Sequence, residues 1–522
     1  MNSDKEYIVK DPDSVFGTQR PKTVSCRAVI LIILVTCFVI CIAVGLTTYF
    51  VFFNKSDNGS DSSSPQRQLM GPSCSDPCVL TLVESIPENL TYTPGSPSHP
   101  STYEGLMDLM SIAQNTIEIA SYYWTLNGSD IPYSDASSWQ VINLYIAQNT
   151  IEIASYYWSL NGSDIPYSDA SSWQGESILQ TLGDAGNKRK LKIRIAQNEP
   201  DSRNKDPRVL TKIRLMGGGI LHTKMWLIDR THFYVGSANL DWRSLTQVKE
   251  LGAVLYNCSC MAKDMGKLFD TYWYLGTPEA VVPPSWPSDY DTSINGNTSM
   301  QIKFNGTDAL TYLSSSPPPF CAKGRTIDVD AIVNIINDAD KFVYIAVMDY
   351  FPSTQFIKPR RYWPVIDDAI RRAAFDRGVN VSLLISYWKH TWQDMQKYLK
   401  SLAEMRFHSY YKNDVSININ VKMFEVPAFT EAQKKIPYSR VNHNKYMVTD
   451  KVAYIGTSNW SGDYFIDTGG IGLIVNQTSP TPGTVDGMVR KQVEDIFLRD
   501  WYSNYSTYIW DFPFKYNIHE EL

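Results

Sequence analysis

Two short stretches of the chain carry histidine, lysine and aspartate at the same spacing. Each reads H-x-K-x4-D and is followed by a tyrosine-containing segment and a turn rich in glycine, serine and asparagine. Because residues i and i+2 of a β-strand point to the same face, we expect each histidine to project beside its lysine. The residues concerned are His222, Lys224, Asp229, Ser237 and Asn239 in the first stretch, and His443, Lys445, Asp450, Ser458 and Asn459 in the second.

Together these side chains suit the cleavage of a phosphodiester. One imidazole can attack phosphorus while the other protonates the leaving oxygen. The two lysines can offset charge on the non-bridging oxygens, and the turns can bring hydroxyl and amide N–H groups close to an anion. We therefore predict that the two stretches meet in space and form a single site.

The duplication makes the pattern specific. A single H-x-K-x4-D arises by chance in roughly a few per cent of chains of this length. Two copies, each followed by a Gly-x-x-Asn element, are hard to explain as two unrelated amphipathic strands. A zinc site is a poor alternative, because the chain has only 7 histidines and no Cys/His cluster with ligand spacing. We expect neither a metal ion nor another cofactor.

Several sequence words point to a family. The motif pair resembles the phospholipase D superfamily. The segments GSANLDWRSLTQVKELG, YNCSC, VNHNKYMVTD and YIGTSNWSG resemble its lysosomal branch, which contains phospholipase D family members three and four. The resemblance covers most of the chain after Cys74. It implies a metal-independent 5′ exonuclease that digests single-stranded DNA and RNA through a phosphohistidine, at acidic pH.

Two other functions stay open. The resemblance also implies lipid phosphodiester transfer that makes bis(monoacylglycero)phosphate, so a phospholipid is a second candidate substrate. One related member lacks the catalytic residues, which leaves a catalytically inactive membrane glycoprotein as the third reading; both His-Lys pairs are retained here and favour an enzyme. The net charge of −6 means that any nucleic-acid contact is a local groove. The sequence is compatible with a monomer and with a homodimer.

Two carboxylates stand at corresponding positions just before strands, Glu250 and Asp467. A catalytic imidazole needs one nitrogen held so that the other faces phosphorus. We predict that these carboxylates hold the imidazoles, one per half, and that Asp229 and Asp450 fix loops or the lysines. Several aromatic residues could stack on unpaired bases or pack in the core: Tyr123, Trp124, Trp226, Tyr350, Trp388 and Trp460.

Alternating strands and helices indicate an α/β fold. We predict two pseudo-symmetric α/β/α sandwich halves with the active site at their interface. Where the second half has the strand Ser416 to Val426, the first half has room only for a short helix near Pro207 to Leu215, so one strand is expected to be missing. The predicted boundaries are 101–276 for the first half, 277–319 for a linker, 320–512 for the second half and 513–522 for a tail.

The N-terminal part predicts a membrane anchor. Ala28 to Phe53 is an apolar run without a charge. At about 1.5 Å per residue it exceeds a bilayer core of about 30 Å. The basic residues before it place residues 1–27 in the cytosol. Residues 54–100 are expected to be a lumenal stalk, open to proteolytic release. We predict a type II membrane protein that passes through the endoplasmic reticulum and Golgi to the endosome and lysosome.

The cysteines and sequons agree with a lumenal location. N-x-S/T sequons recur after the apolar run, as in glycoproteins of the secretory route. Cys74, Cys78, Cys258 and Cys260 allow three pairings. The family resemblance implies the nested pairs Cys74–Cys260 and Cys78–Cys258, which leave Cys321 over.

A direct repeat is the last feature. Residues 112–140 and 146–174 differ only where Thr125 corresponds to Ser159. Each copy contains one candidate strand, and a half-domain needs only one such first strand. We expect one copy to take the core position and the other to pack poorly or loop out. Either a duplicated exon or a gene-model error would explain the repeat.

Overall fold

The computed structural model of the protein describes residues 71–121, 152–154, 169–198, 212–213, 219–277, 280–407, 417–478 and 487–514. The predicted cytosolic tail, membrane span and first part of the stalk lie outside these residues. Among the described residues, no helix has both the length and the apolar character needed to cross a membrane.

In the described part of the chain, eight strands form the first sheet: β1 (Val79–Ser85), β2 (Thr116–Ala120), β3 (Glu152–Ala154), β4 (Lys192–Asn198), β5 (Lys212–Ile213), β6 (Met225–Ile228), β7 (His232–Gly236) and β8 (Glu250–Tyr256). They lie in the order β1-β8-β7-β6-β2-β3-β4-β5. Strands β6, β7 and β8 are antiparallel neighbours, whereas β2 and β4 run parallel. The sheet is therefore mixed, with the first motif at its centre.

Ten strands form the second sheet: β9 (Met300–Phe304), β10 (Thr307–Ser316), β11 (Thr326–Ile327), β12 (Phe342–Val347), β13 (Asn380–Tyr387), β14 (Ile419–Glu425), β15 (Lys445–Thr449), β16 (Val452–Gly456), β17 (Gly470–Asn476) and β18 (Ser506–Tyr508). Its central order β17-β16-β15-β12-β13-β14 matches the order β8-β7-β6-β2-β4-β5 of the first sheet once β3, which lies between β2 and β4, is left out. The two halves thus have the same core topology, as predicted.

The helices are α1 (Thr102–Ile112), α2 (Trp173–Asn187), α3 (Trp242–Thr246), α4 (Ser259–Leu275), α5 (Asp328–Asp338), α6 (Val365–Arg377), α7 (Gln393–Glu404), α8 (Glu431–Lys435), α9 (Asp463–Ile466) and α10 (Val489–Trp501). Apolar residues of α1 and α2 share one core cluster with β2, and those of α4 join the larger cluster that extends into the second sheet. Helices therefore pack on both sides of the first sheet, which makes this half an α/β/α sandwich.

Two predicted boundaries need correction. The stretch predicted as a stalk contains β1, which pairs with β8 over seven residues, and the stretch predicted as a linker contains β9 and β10. Strand β10 pairs antiparallel with β17. Pro, Ser and Asn residues around these strands concealed them, because composition alone does not show that their apolar side chains alternate.

The strand that was expected to be missing is present in short form. Residues Lys212–Ile213 form β5, which pairs in parallel with β4 as β14 pairs with β13. The predicted helix is therefore wrong at these two residues, and the rest of its range lies outside the described residues. A two-residue strand gives too little periodicity to be recognised in a sequence.

Both copies of the repeat align with the same strand. Glu118 of the first copy and Glu152 of the second both pair with Arg194 of β4, in one parallel register. Strand β2 of the first copy also pairs with β6, and its Ile117 and Ile119 are fully buried. The first copy therefore holds the core position, and most of the remainder of both copies lies outside the described residues.

Both predicted disulfides are present, Cys74–Cys260 and Cys78–Cys258. They join the segment before β1 to the start of α4 and use all four thiols of the only Cys/His/Asp/Glu group in the described residues that is arranged like a metal site. Cys321 is not in a disulfide, and burial raises the pKa of its thiol to about 12.

Candidate active site

Each motif is bound through its backbone to the other half. The N–H of His222 donates to the carbonyl of Gly469 at 2.9 Å, just before β17. The N–H of His443 donates to the carbonyl of Lys249 at 2.8 Å, just before β8. These reciprocal contacts bring the two motifs to one interface, as the spacing predicted, although the strands β6 and β15 begin slightly later than expected.

The two imidazoles are each oriented by a group from the opposite half. Nδ1 of His443 lies 2.9 Å from Oε2 of Glu250, and Nδ1 of His222 lies 2.8 Å from the carbonyl oxygen of Thr457. Because this carbonyl can only accept, Nδ1 of His222 carries the proton and its Nε2 has a lone pair. In both rings Nε2, on the opposite side, is the nitrogen that can face a substrate.

The prediction that Asp467 holds one of the imidazoles was wrong. The carbonyl of Thr457 lies at Nδ1 of His222 and Glu250 lies at Nδ1 of His443, while Asp467 is half-buried. The two imidazoles therefore differ in their surroundings. Glu250 places a negative charge beside His443, whereas the carbonyl of Thr457 places only a dipole beside His222. Glu250, by contrast, lies where a holding residue was predicted, although it holds the histidine of the other half.

Both lysines are buried and turned back onto their own motifs. The ammonium of Lys224 donates to the carbonyl of His222 at 2.5 Å, and that of Lys445 to the carbonyl of His443 at 2.8 Å. Each lysine is 1% exposed. Burying two like charges together is unfavourable without enough negative charge beside them, so the site is built to receive an anion.

Burial lowers the pKa values of both histidines and of Lys445. Burial, together with the nearby lysines, lowers the pKa of His222 well below its ordinary value. Burial lowers the pKa of His443 to about 4, although Glu250 acts in the opposite direction. Burial likewise lowers the pKa of Lys445 to about 7. His222 and His443 also repel each other electrostatically, which places both rings in one electrostatic environment.

The aspartates of the motifs lie away from this chemistry. The carboxylate of Asp229 accepts from the backbone N–H groups of Gln114, Asn115 and Thr116 at 2.5 to 2.8 Å, and Asp450 likewise accepts from Asp340 and Lys341. Each aspartate therefore fixes the loop before a central strand, β2 or β12, at the end of the motif strand remote from its histidine. These contacts give both aspartates a positional role in the fold.

Some polar atoms of the two turns are buried without a hydrogen-bond partner in the described part of the chain. Among the described residues, Oγ of Ser458 and the amide oxygens of Asn239 and Asn459 have no hydrogen-bond partner. The hydroxyl of Ser237 is instead bound to the backbone of Leu251 in β8. Buried polar groups are normally satisfied, and unsatisfied ones at such a place are expected to meet a ligand.

The sequence of the chain matches one family. Residues 133–429 match the family described as "PLD3/4, PLD-like domain". The chain is 49% identical over 445 residues to the 5′-3′ exonuclease PLD3 of Xenopus laevis, covering 83% of this chain and 81% of that protein. It is 45% identical over 459 residues to the 5′-3′ exonuclease PLD3 of Homo sapiens, covering 84% and 83%. The 5′-3′ exonuclease PLD4 of Mus musculus is 41% identical over 440 residues, 82% and 79%.

The chain belongs to the PLD3/PLD4 family. It is accordingly a phosphodiesterase exonuclease of the phospholipase D type.

Three residues of this site were missed in the sequence. Thr457 acts through its carbonyl, which residue type cannot reveal. Asp349 follows β12, interacts with the charge of Lys445 and accepts from Nδ2 of Asn459 at 3.1 Å; burial raises its pKa to about 6. Tyr464 also accepts from Asn459 and packs its ring edge-on against His222, with centroids 4.9 Å apart. The position of Asp349 at a strand end could have pointed to it.

Three of the six aromatic residues considered for base stacking belong to the core. Trp226, Tyr350 and Trp460 are at most 3% exposed, and only Trp388 is half-buried. Tyr123 and Trp124 lie outside the described residues.

Proposed function

We propose that this chain removes nucleotides from the 5′ end of single-stranded DNA and RNA through a phosphohistidine intermediate. The observation that carries the proposal is the pair of buried imidazoles whose Nδ1 atoms are each held from the opposite half. This arrangement directs two Nε2 atoms to the two proton-coupled steps of phosphodiester cleavage.

The different Nδ1 partners assign the two roles. The carbonyl of Thr457 does not stabilise an imidazolium as a carboxylate does, so His222 is suited to attack as the neutral base. Glu250 favours the protonated ring, so His443 is suited to hold the proton. We therefore assign His222 as the nucleophile and His443 as the general acid.

The reaction then proceeds in two displacements. In the first, Nε2 of His222 forms a bond to phosphorus as the bond from phosphorus to the leaving oxygen breaks, and His443 gives that oxygen its proton. In the second, His443 takes a proton from water, the water oxygen bonds to phosphorus, and the phosphorus–nitrogen bond breaks. Lys224 and Lys445 offset the charge on the non-bridging oxygens in both steps.

Substrate binding raises the pKa of the general acid, which then takes its proton from solvent. Without substrate the pKa of His443 is about 4, so its ring is largely neutral at lysosomal pH. An anionic phosphodiester beside both rings favours their charged forms and raises their pKa values. For His443, beside the carboxylate of Glu250, this shift favours the protonated ring that the general acid requires.

We further propose that this catalytic part lies in the endolysosomal lumen behind a single membrane anchor at residues 28–53. Two disulfides support an oxidising compartment. Several sequon asparagines are exposed and thus accessible for glycosylation: Asn89, Asn257, Asn297, Asn305 and Asn504. The sequon at Asn459 is buried in the active site and is not expected to be used.

Digestion of 5′-hydroxyl single-stranded oligonucleotides by the lumenal portion at about pH 5 tests the proposed activity. The expected result is stepwise shortening from the 5′ end, unaffected by a chelator and abolished by His222→Asn and by His443→Asn. A phosphorylated form that accumulates in His443→Asn but not in His222→Asn would support the assignment of the nucleophile. Turnover of lipid phosphodiesters without turnover of oligonucleotides would overturn the proposal, as would inactivity towards both.

A further inference from the structure

A row of aromatic rings leads from the catalytic histidine to the protein surface. Tyr464 packs on His222, Phe356 lies 6.5 Å from Tyr464, and Trp392 lies 6.1 Å from Phe356, measured between ring centroids. The rings become accessible along this row, since Tyr464 is 6% exposed, Phe356 55% and Trp392 37%. Exposed large aromatic rings next to a buried active site are unusual and indicate a binding surface.

The same segment carries a local positive charge on a chain whose overall charge is negative. Residues 356–362 read FIKPRRY, and the side chains of Lys358, Arg360 and Arg361 are all exposed. The guanidinium of Arg360 lies 4.8 Å from the ring centre of Trp392. Its ion pair with Asp394, at 3.3 Å, joins two exposed side chains and is therefore weak. We call residues 356–362 the aromatic–basic loop.

The aromatic–basic loop is held in a fixed shape. The buried carboxylate of Asp463 accepts from the N–H groups of Gln355, Phe356 and Ile357 at 2.6, 2.9 and 2.8 Å. At the other end of the loop, Thr354 donates its N–H to the carbonyl of Arg361 at 2.9 Å. Because Asp463 is the first residue of α9, which also contains Tyr464, the loop is fixed relative to the ring that touches His222.

We propose that the aromatic–basic loop and Trp392 bind the single strand of nucleic acid next to the phosphate that is cleaved. Bases stack on Phe356 and Trp392, and the basic side chains contact the neighbouring phosphates. Rings interleaved with cations are the chemistry that binds single strands without base preference, because every base has a π face. The inference rests on the proposed exonuclease function and adds to it the surface that guides the substrate.

The first test compares two substrates in each variant. Phe356→Ala and Trp392→Ala are measured with a 5′-hydroxyl oligonucleotide and with bis(p-nitrophenyl) phosphate, a diester that lacks bases. We expect each substitution to lower the ratio of kcat/KM for the oligonucleotide to that for the small diester by about tenfold, mainly through KM, because each removes a ring on which a base stacks. Tyr502→Ala, which removes another exposed aromatic ring, should leave the ratio unchanged.

The second test concerns charge. In the variant Lys358→Gln with Arg361→Gln, the slope of log KM for the oligonucleotide against log salt concentration should become shallower by about 0.7 for each phosphate that is no longer neutralised. Lys303→Gln, an exposed lysine on β9, should leave the slope unchanged.

The outcomes separate the inference from the proposed function. If the wild-type protein hydrolyses the small diester but not the oligonucleotide, the exonuclease function fails. If the oligonucleotide is degraded and the loop variants keep the wild-type ratio and salt slope, or lose both substrates in parallel, the loop is not the strand-binding surface. A selective loss of binding to phosphatidylserine vesicles would assign the loop to a membrane surface and also overturn the inference.

Discussion

At the scale of single residues, the two catalytic histidines differ because their Nδ1 atoms meet different oxygens. Glu250 raises the pKa of His443, partly against the larger effect of burial, which lowers it. The carbonyl of Thr457 is a neutral acceptor and does not stabilise a charged His222 as a carboxylate would. One carboxylate thus distinguishes two otherwise equivalent imidazoles, and its removal should be visible in the pH dependence of catalysis.

We predict that Glu250→Gln lowers the pKa of His443 further and so reduces the fraction of general acid. Activity should fall by about a hundredfold or more, and the falling basic limb of the kcat profile should move to lower pH. Rates measured between about pH 4 and pH 7 check this. Asp467→Asn should leave the limb in place; a basic limb that stays in place in Glu250→Gln, or moves to higher pH, would contradict the assignment of His443.

Binding of a phosphate anion should be accompanied by proton uptake. Burial lowers the pKa of His222, His443 and Lys445 in the absence of an anion, and an anion raises all three. A raised pKa means that protons are bound at constant pH, most clearly between the lowered and raised values. Calorimetric titration with inorganic phosphate at about pH 6, in two buffers of different ionisation enthalpy, measures the number of protons. Net proton release on phosphate binding would contradict the prediction.

At the scale of elements, the sequence predicted the strands and helices with regular hydrophobic patterns. It missed strands that are very short or are surrounded by turn-forming residues. The strands β12, β13 and β14 and the helices between them followed from regular periodicity, and the two motifs followed from their duplication. Strand β5 has only two residues, and β1 and β10 are surrounded by turn-forming residues. The contact of Thr457 is made by a backbone carbonyl, so no side-chain pattern could predict it.

The repeat makes an element-scale prediction. Deleting residues 122–155 joins Ser121 to Tyr156, and removal of the other copy gives a chain that differs only at the position of Thr125 and Ser159. Because both copies pair with β4 in one register, the remaining copy should fill the core position. We expect full activity and a free energy of unfolding that is equal or higher by about 0.5 kcal/mol, since a shorter connection costs less entropy to close. Loss of soluble, active protein would show that both copies are needed.

A substitution in the strand tests the same idea from the other side. Ile117 is fully buried in β2, so Ile117→Asp should unfold or inactivate the shortened chain. In the full-length chain, Ile151 of the second copy can replace it, so the same substitution should be tolerated far better. Thermal unfolding of the four proteins measures this difference directly, and equal damage in both backgrounds would rule out the exchange of copies.

At the scale of the whole molecule, a buried group of charges joins the two halves behind the active site. Lys249 lies 2.8 Å from Asp500 and 3.6 Å from Glu84, and Arg499 pairs with both carboxylates at 3.0 and 2.6 Å. Glu84 and Lys249 belong to the first half, and Arg499 and Asp500 to α10 of the second. Because the carbonyl of Lys249 binds His443, this cluster supports the interface at which the histidines meet.

Breaking this cluster from one side should be costly. Burial raises the pKa of Asp500, but Lys249 and Arg499 together lower it by more. The net pKa of Asp500 is therefore below its ordinary value. A lowered pKa contributes stability above the unfolded value and loses it only as pH falls through the lowered value, so the cluster stays charged at about pH 5. Lys249→Met and Asp500→Asn should each lower the free energy of unfolding by about 3 to 5 kcal/mol, because each leaves a buried charge unpaired.

The double variant decides whether Lys249 and Asp500 act as a pair. If they do, Lys249→Met with Asp500→Asn should lose clearly less than the sum of the two single losses, because neither uncompensated charge remains. Lys188→Met, which breaks an exposed pair with Asp184 on α2, should cost no more than about 0.5 kcal/mol. Denaturant unfolding at about pH 5 supplies all of these free energies. Strictly additive losses would mean that the cluster holds the halves together by packing alone and that the charges are independent.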